Sequence, residues 1–211
     1  MLVIGIDTST PAVSVALVDT DVGLLGERVV IDDRWHGEVL AVGIRGVLTA
    51  AGRVARQLDA VVVGLGPGPF TGLRVGIVTA ASFGDALGIE VHGSCSLDGL
   101  AQPGQPTLAV TDARRREVYW AAYDATGARV AGPHVDAPAV ARAASTGRSV
   151  VGAGAHLYAF DGVLDVPRWP SVAALIARTS LTAAPGPLVP FYLRRPDAQE
   201  PPGLVAAPRR R

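Results

Sequence analysis

The feature that most constrains the fold is a change of hydrophobic period near residue 36. Before it, short segments rich in β-branched residues alternate with turn residues and predict three strands: Leu2–Asp7, Ala12–Val18 and Leu24–Val30. After it, apolar residues recur at helical spacing and predict an amphipathic helix that starts at His36 and ends at Gly52. An antiparallel meander followed by a helix is therefore expected.

The next elements complete a recognisable order. The sequence predicts a strand at Ala60–Gly64, a helix at Thr71–Leu87 closed by Gly88, and a strand at Ile89–His92. The resulting order, βββαβαβ, resembles that of the ribonuclease H-like lobe of actin-like proteins. The second half repeats the opening weakly, because Asp112 and Asp124 have the same separation as Asp7 and Asp19.

We therefore predict an α/β protein with a two-lobed, actin-like (ribonuclease H-like, ASKHA) fold, each lobe containing a mixed sheet in βββαβα order. Pro103 and Pro106 bracket a Gly and mark the boundary between the lobes. The predicted domains are an N-terminal lobe over 1–102 that carries the partner interface, a degenerate C-terminal lobe over 103–194, and a flexible Pro- and Arg-rich tail over 195–211.

Composition excludes several classes of protein. All 19 basic residues are Arg, so a Walker A loop, a Schiff-base lysine and a Ser-Lys dyad are excluded. The 19 acidic residues bring the net charge to zero, which disfavours a chain that coats nucleic acid along its whole surface. The single Cys95 forms no intrachain disulfide, and there is no apolar run of about 20 residues or basic leader, so a cytoplasmic protein without a membrane span is expected.

Asp7-Thr8-Ser9 is a candidate nucleotide loop. An acidic residue followed by small hydroxyl residues at the end of a first strand can approach a phosphate through a metal ion and backbone amides. The alternative is an ordinary β-turn in which these side chains bond to their own backbone. A second phosphate loop would lie near Asp112, but three arginines, Arg114–Arg116, stand where small residues are needed.

The second predicted helix has one face of small residues. A glycine-rich segment, residues 64–74, leads into this helix and either holds an anion or forms a rigid turn. Glycine costs about 1 kcal/mol relative to Ala inside a helix, so a close contact should compensate for it. We expect a partner helix to pack there, with packing inside the lobe as the alternative. The predicted partner interface comprises Leu40, Gly43, Gly46, Gly72, Gly76, Ala80 and Gly84.

No metal site and no nucleophile are expected. The four histidines are scattered, no paired His motif occurs, and one Cys cannot build a zinc site. A G-x-S-x-G elbow is also absent.

Four segments in order resemble the TsaB (YeaZ) family of tRNA threonylcarbamoyladenosine biosynthesis proteins: residues 4–9, residues 66–74, residues 112–119 and Tyr192-Leu193-Arg194. The chain departs from the family pattern at Pro69, where Ser is usual, at Gly37, and at Arg116, where Gly is common. The resemblance marks a family motif loop formed by Gly66, Gly68, Thr71, Gly72, Arg74, Asp112 and Arg114.

The resemblance implies a noncatalytic scaffold subunit. It would bind and activate a TsaD-like paralogue as a heterodimer, with a TsaE-like ATPase as a further partner, for threonylcarbamoyl transfer to the adenosine beside the anticodon of ANN-decoding tRNAs. The paired metal histidines of TsaD-like members are matched here by Ser96 and Leu100. No cofactor and no catalytic residue are expected, and tRNA would be met only through the complex.

Three alternatives stay open. The first is an active nucleotide-binding ATPase or kinase of the actin-like class, or a remnant of one with weak ATP or ADP binding at Asp7-Thr8-Ser9. The second is a tRNA-binding module that uses Arg114–Arg116 and the terminal arginines. The third is a homodimer formed by the chain in isolation.

Overall fold

A computed structural model of the chain describes residues 1–31 and 36–194. The predicted tail over 195–211 lies outside the described residues. The strands are β1 Leu2–Asp7, β2 Ala12–Asp19, β3 Gly23–Ile31, β4 Ala60–Gly64, β5 Glu90–Ser94, β6 Thr107–Asp112, β7 Val118–Tyr123, β8 Arg129–Asp136 and β9 Ser149–Val151. The α-helices are α1 His36–Ala50, α2 Phe70–Leu87, α3 Pro138–Ala143, α4 Ala153–Leu157 and α5 Val172–Arg178.

The first sheet has the strand order β3-β2-β1-β4-β5. Strands β1, β2 and β3 pair antiparallel, whereas β4 and β5 run parallel to β1. Parallel neighbours are buried on both faces, which explains why the apolar residues of β4 are continuous. Helices α1 and α2 cover one face of this sheet, and Leu40 and Leu73 enter the core beneath them.

The second sheet repeats this arrangement with fewer strands. Its order is β8-β7-β6-β9, with β9 parallel to β6 and the other pairs antiparallel. Asp112 ends β6 opposite Val118 just as Asp7 ends β1 opposite Ser14. The predicted fold class, two mixed sheets in βββαβα order, is therefore confirmed.

Helix α5 departs from the predicted domain boundaries. The sequence assigned residues 103–194 to the second lobe, but Val172, Leu175 and Ile176 pack on the first sheet. They cover the face of β1, β2 and β4 that lies opposite α1 and α2, where they meet residues such as Val3 and Val62. The second half of the chain therefore completes the first lobe.

Strand β8 was not predicted, because Gly132 and Pro133 interrupt its β-forming pattern. It is nevertheless the edge strand of the second sheet, where a missing N–H is tolerated. Among the helices of residues 1–31 and 36–194, none combines the length and apolar character needed to cross a membrane.

Candidate functional site

The candidate nucleotide loop lies at the end of β1 and is buried. Asp7, Thr8 and Ser9 are each exposed by 2% or less. Asp7 Oδ1 accepts hydrogen bonds from Ser9 N at 3.0 Å and Ser9 Oγ at 2.7 Å. Thr8 Oγ1 donates to the carbonyl oxygen of Gly72 at 2.8 Å. These contacts are those of a turn whose side chains bond within the lobe.

The Asp7 carboxyl is only partly hydrogen-bonded, although it is fully buried. Its second oxygen, Oδ2, is buried without a hydrogen-bond partner in the described structure. Burial raises the pKa of the Asp7 carboxyl, and the neighbouring hydroxyls of Ser96 and Ser9 only partly oppose this effect. A neutral Asp7 is therefore favoured in the folded chain relative to an exposed aspartate.

The glycine-rich segment closes over this loop. A Cβ on Gly68 would overlap the carbonyl oxygen of Ser9, and a Cβ on Gly64 would overlap Asp7 Oδ2. A side chain at either position would clash, so Gly64 and Gly68 allow the two segments to pack closely. Gly66 N also donates to Ser96 Oγ at 3.0 Å, which ties the segment to the chain after β5. The glycine-rich segment and the loop after β1 therefore pack directly on each other.

The family motif residues come together in a cleft of about 260 Å³ between the lobes. Gly68 and Thr71 line its first-lobe side, and Asp112 and Arg114 line its second-lobe side. The remaining lining residues are Pro69, Phe70, Ala113, Tyr119, Tyr192, Leu193 and Arg194. Gly66, Gly72 and Arg74 of the same motif do not line the cleft: Gly66 and Gly72 are buried beside it, and Arg74 lies exposed near its mouth.

The segment Phe191–Arg194 joins the two sides of this cleft. Phe191 N donates to Leu65 O at 2.9 Å in the first lobe. Arg194 forms an ion pair with Glu117 at 2.7 Å in the second lobe and also donates to the carbonyl oxygen of Ala113. The C-terminal motif therefore contacts the loops of both lobes.

The loop between β6 and β7 has an unusual backbone. Arg114, Arg115 and Arg116 have φ angles of 63°, 51° and 61°, a conformation that side chains disfavour. Asp112 Oδ1 holds the turn by accepting from Arg114 N at 2.9 Å and from Tyr158 Oη at 3.1 Å. The carboxylate that would face a second phosphate loop is therefore engaged within the second lobe.

Most of the predicted partner interface lies inside the first lobe, which corrects that expectation. A Cβ on Gly76 would overlap Thr8 Oγ1, and a Cβ on Gly84 would overlap the side chain of Val91. Gly72 and Ala80 are buried on the same face of α2. Small residues are required because the helix backbone lies directly on β1, its following loop and β5.

The α1 residues of the same prediction are also inward. Leu40 is fully buried, and a Cβ on Gly43 would lie 3.2 Å from Val15 Cγ2. Gly46 is half-buried beside Arg28 of β3. The outward positions of both helices carry other residues, among them Val42 and Val78, which are 46% and 61% exposed.

Ser96 and Leu100, which stand where the resemblance places paired histidines, are fully buried in a 3₁₀ turn. Within the described part of the chain, no three His, Cys, Asp or Glu side chains are grouped closely enough to hold a metal ion. Three functional candidates were not assigned individually from the sequence: Phe70, Tyr119 and Tyr192. The only sequence signal for them is their place inside the family motifs.

Comparison with known proteins gives the family. A family model described as TsaD, tRNA N6-adenosine threonylcarbamoyltransferase, matches residues 30–161. An uncharacterized protein of Mycobacterium tuberculosis is 49% identical over 199 residues, which cover 93% of each chain. The tRNA threonylcarbamoyladenosine biosynthesis protein TsaB of Escherichia coli is 37% identical over 131 residues, or 58% of this chain and 55% of that one.

Solved structures agree with this assignment. A Pseudomonas aeruginosa protein described as similar to peptidase YEAZ superposes with a TM-score of 0.71 and 26% identity, over 89% of this chain and 99% of that one. YeaZ from the same organism gives 0.70 and 24%, over 84% and 90%, and supports the fold. The family model spans more than half of the chain, and the named relatives and the motif cleft point the same way, so the chain belongs to the TsaB (YeaZ) family, within the group that the TsaD model describes.

Proposed function

We propose that this chain is a noncatalytic subunit in tRNA threonylcarbamoyladenosine biosynthesis that binds and activates a TsaD-like paralogue. The observation that carries the proposal is the closed loop at Asp7-Thr8-Ser9, in a chain whose named relatives belong to that pathway. The side chains of this loop bond within the lobe and Gly68 packs against its backbone, which supports a subunit whose chemistry comes from a partner.

Two further features support a role without turnover. The second phosphate loop of an actin-like enzyme would need small residues after Asp112, but the chain has arginines there, and Asp112 is held by its own lobe. Buried Ser96 and Leu100 replace the histidines that a TsaD-like member would use to hold its metal. Activation of a partner, by fixing its conformation, needs none of these groups.

The outward face of α1 and α2 is the surface best suited to the paralogue. It carries Ala41 and Val42 on α1 and Val78 on α2, with half-buried Val39 and Val75 beside them. Adjacent helices that expose aliphatic side chains can bury them against two helices of a homologous partner. A TsaE-like ATPase would join this heterodimer, and a homodimer through the same helices is the alternative pairing.

The function is tested by depletion and reconstitution. Depleting the chain should lower threonylcarbamoyladenosine in digested bulk tRNA, while threonylcarbamoyl-AMP is still formed. Purified TsaD-like paralogue should modify tRNA much faster when the chain is added. Unchanged modification after depletion contradicts the proposal, and ATP hydrolysis by the pure chain that Asp7→Ala abolishes favours the kinase-like alternative.

The interface is tested with one charge. Val78→Asp places a carboxylate in the proposed contact and should weaken binding of the paralogue by about tenfold or more, because burying an unpaired charge is costly. Val130→Asp is the matched control, since Val130 is 54% exposed on β8 of the other lobe. Equal binding by both variants, measured by calorimetry, would place the interface elsewhere.

A further inference from the structure

We propose that the mouth of the interlobe cleft binds unpaired RNA directly. The surface consists of Phe70, Arg74 and Tyr192 on one side and the arginine loop, Arg114–Arg116, on the other. The choice of a tRNA as the RNA rests on the proposed function, but the recognition chemistry comes from these residues. The inference goes beyond the expectation that tRNA is met only through the complex.

The first side is an ordered stack of side chains at the surface. The Arg74 guanidinium lies 3.7 Å from the centre of the Phe70 ring, and the Phe70 and Tyr192 ring centres are 4.8 Å apart. Arg74 Nε also donates to Tyr192 Oη at 3.2 Å. Phe70 and Tyr192 are nevertheless 36% and 41% exposed, so ring surface stays accessible. Exposed rings and guanidinium planes that are already oriented are the groups on which unpaired bases stack.

The second side is the arginine loop. All three side chains are exposed, and Arg114 has only a loose ion pair, 3.9 Å from Asp112 Oδ2. The left-handed backbone of this loop is one that non-glycine residues disfavour. Strain of this kind usually persists at functional sites, where it sets the direction of particular side chains. Here it shapes the exposed loop that places Arg114 in the cleft lining.

Charge at this edge differs from that of the whole chain. Arg114 and Arg194 line the cleft, Arg74 contacts Tyr192 at its mouth, and Arg115 and Arg116 follow in the exposed loop, whose flanking acids are Asp112 and Glu117. Arg194 pairs with Glu117 and Arg114 pairs loosely with Asp112, so the arginines of this region outnumber these two acids. A chain whose formal net charge is zero thus concentrates cations where the exposed rings are. Phosphates and bases together match this combination better than either alone.

A protein partner fits this surface less well than RNA. Aromatic rings and arginines also occur in protein interfaces, but the exposed aliphatic side chains that form an apolar interface core lie on α1 and α2. The cleft mouth presents instead guanidinium groups beside two partly exposed rings. We therefore assign the two surfaces to different ligands.

The test measures binding of a fluorescent tRNA anticodon stem–loop to the purified chain by anisotropy. The double variant Arg114→Ala, Arg116→Ala should weaken binding, and should reduce the slope of log K against log salt by about 0.7 for each phosphate that an arginine no longer neutralises. Tyr192→Ala should weaken binding about tenfold because stacking is removed, whereas Tyr192→Phe keeps the ring and most of the affinity. A fully paired duplex of the same length should bind more weakly.

Arg53→Ala is the matched control, because Arg53 is exposed next to the C-terminal end of α1 and outside the cleft. Thermal melting of every variant excludes loss of folding as the cause. Affinity for the stem–loop that is absent, or equal in parent and variants, overturns the inference. If the same variants weaken binding of the TsaD-like paralogue instead, the surface is a protein interface; neither outcome alters the threonylcarbamoyladenosine measurement that tests the proposed function.

Discussion

Asp7→Asn should make this protein more stable at neutral pH. In the parent, Asp7 Oδ1 is satisfied by Ser9, but Oδ2 is buried without a partner between Gly64 and Ser96. A buried polar atom without a partner costs about 1–3 kcal/mol, and more when it is charged. Asn keeps the Oδ1 acceptor and removes the charge, and its Nδ2, in the place of Oδ2, can donate to the neighbouring Ser96 Oγ. We therefore expect the free energy of unfolding to rise by about 1–3 kcal/mol at pH 7.

The pH dependence gives the sharper result. Burial raises the folded pKa of Asp7 above its ordinary value of 3.8, so the unfolded chain releases this proton first as pH rises. The stability contributed by Asp7 is complete below pH 3.8 and is lost as pH rises through the folded pKa. The advantage of Asp7→Asn should therefore be small in acid and grow with pH until the folded carboxyl is ionised.

Urea unfolding at several pH values measures this difference. Asp124→Asn is the opposed control, because Thr126 and the backbone N–H groups that bond to exposed Asp124 lower its pKa, so its contribution is lost as pH falls. If Asp7→Asn is destabilising at pH 7, or if its effect does not change with pH, then Asp7 is ionised and satisfied in the folded chain. Its buried Oδ2 would then carry no penalty.

Three further outcomes follow from packing and backbone geometry. Gly76→Ala should destabilise the first lobe by about 1–3 kcal/mol, because its Cβ overlaps Thr8 Oγ1. A melting temperature equal to that of the parent would show that this face of α2 does not pack tightly inside the lobe. Arg116→Gly should stabilise the chain by about 1 kcal/mol in urea unfolding, by relieving a φ of 61°, and should also weaken RNA binding; unfolding at lower urea would show that the turn is unstrained. Leu175→Ala should cost about 2–5 kcal/mol, and a smaller loss in unfolding free energy would mean that α5 adds little to the first sheet.

Local order was readable from the sequence because it depends on neighbouring residues. The bounds of β1 and β4 were predicted to the residue, and α2 began one residue earlier than predicted. Each has a strong periodic or continuous apolar pattern bounded by turn residues. Strand β8 was missed because its Gly and Pro lower the local strand propensity, although pairing with β7 stabilises the strand in spite of them.

Long-range placement was only partly readable. Glycines four residues apart predict close approach of another backbone, but the same spacing serves a sheet of the same lobe and a helix of a partner. The neighbouring sequence does not show whether Gly76 packs against Thr8 of the same chain or against a partner chain. Likewise, Arg74 and Tyr192 are separated by 118 residues, so their contact could be anticipated only from motifs shared with a family.

The return of α5 to the first sheet also determines when the chain can fold during synthesis. Strands β1–β5 are complete by residue 94, yet the apolar face formed by Val3, Ala16 and Val62 stays uncovered until residues 172–176 have been made. During most of the time taken to translate the second lobe, the first sheet of the nascent chain therefore has one face uncovered. During that interval the exposed apolar face can aggregate, so the nascent chain reaches its native state only if aggregation is slow or a chaperone covers this face.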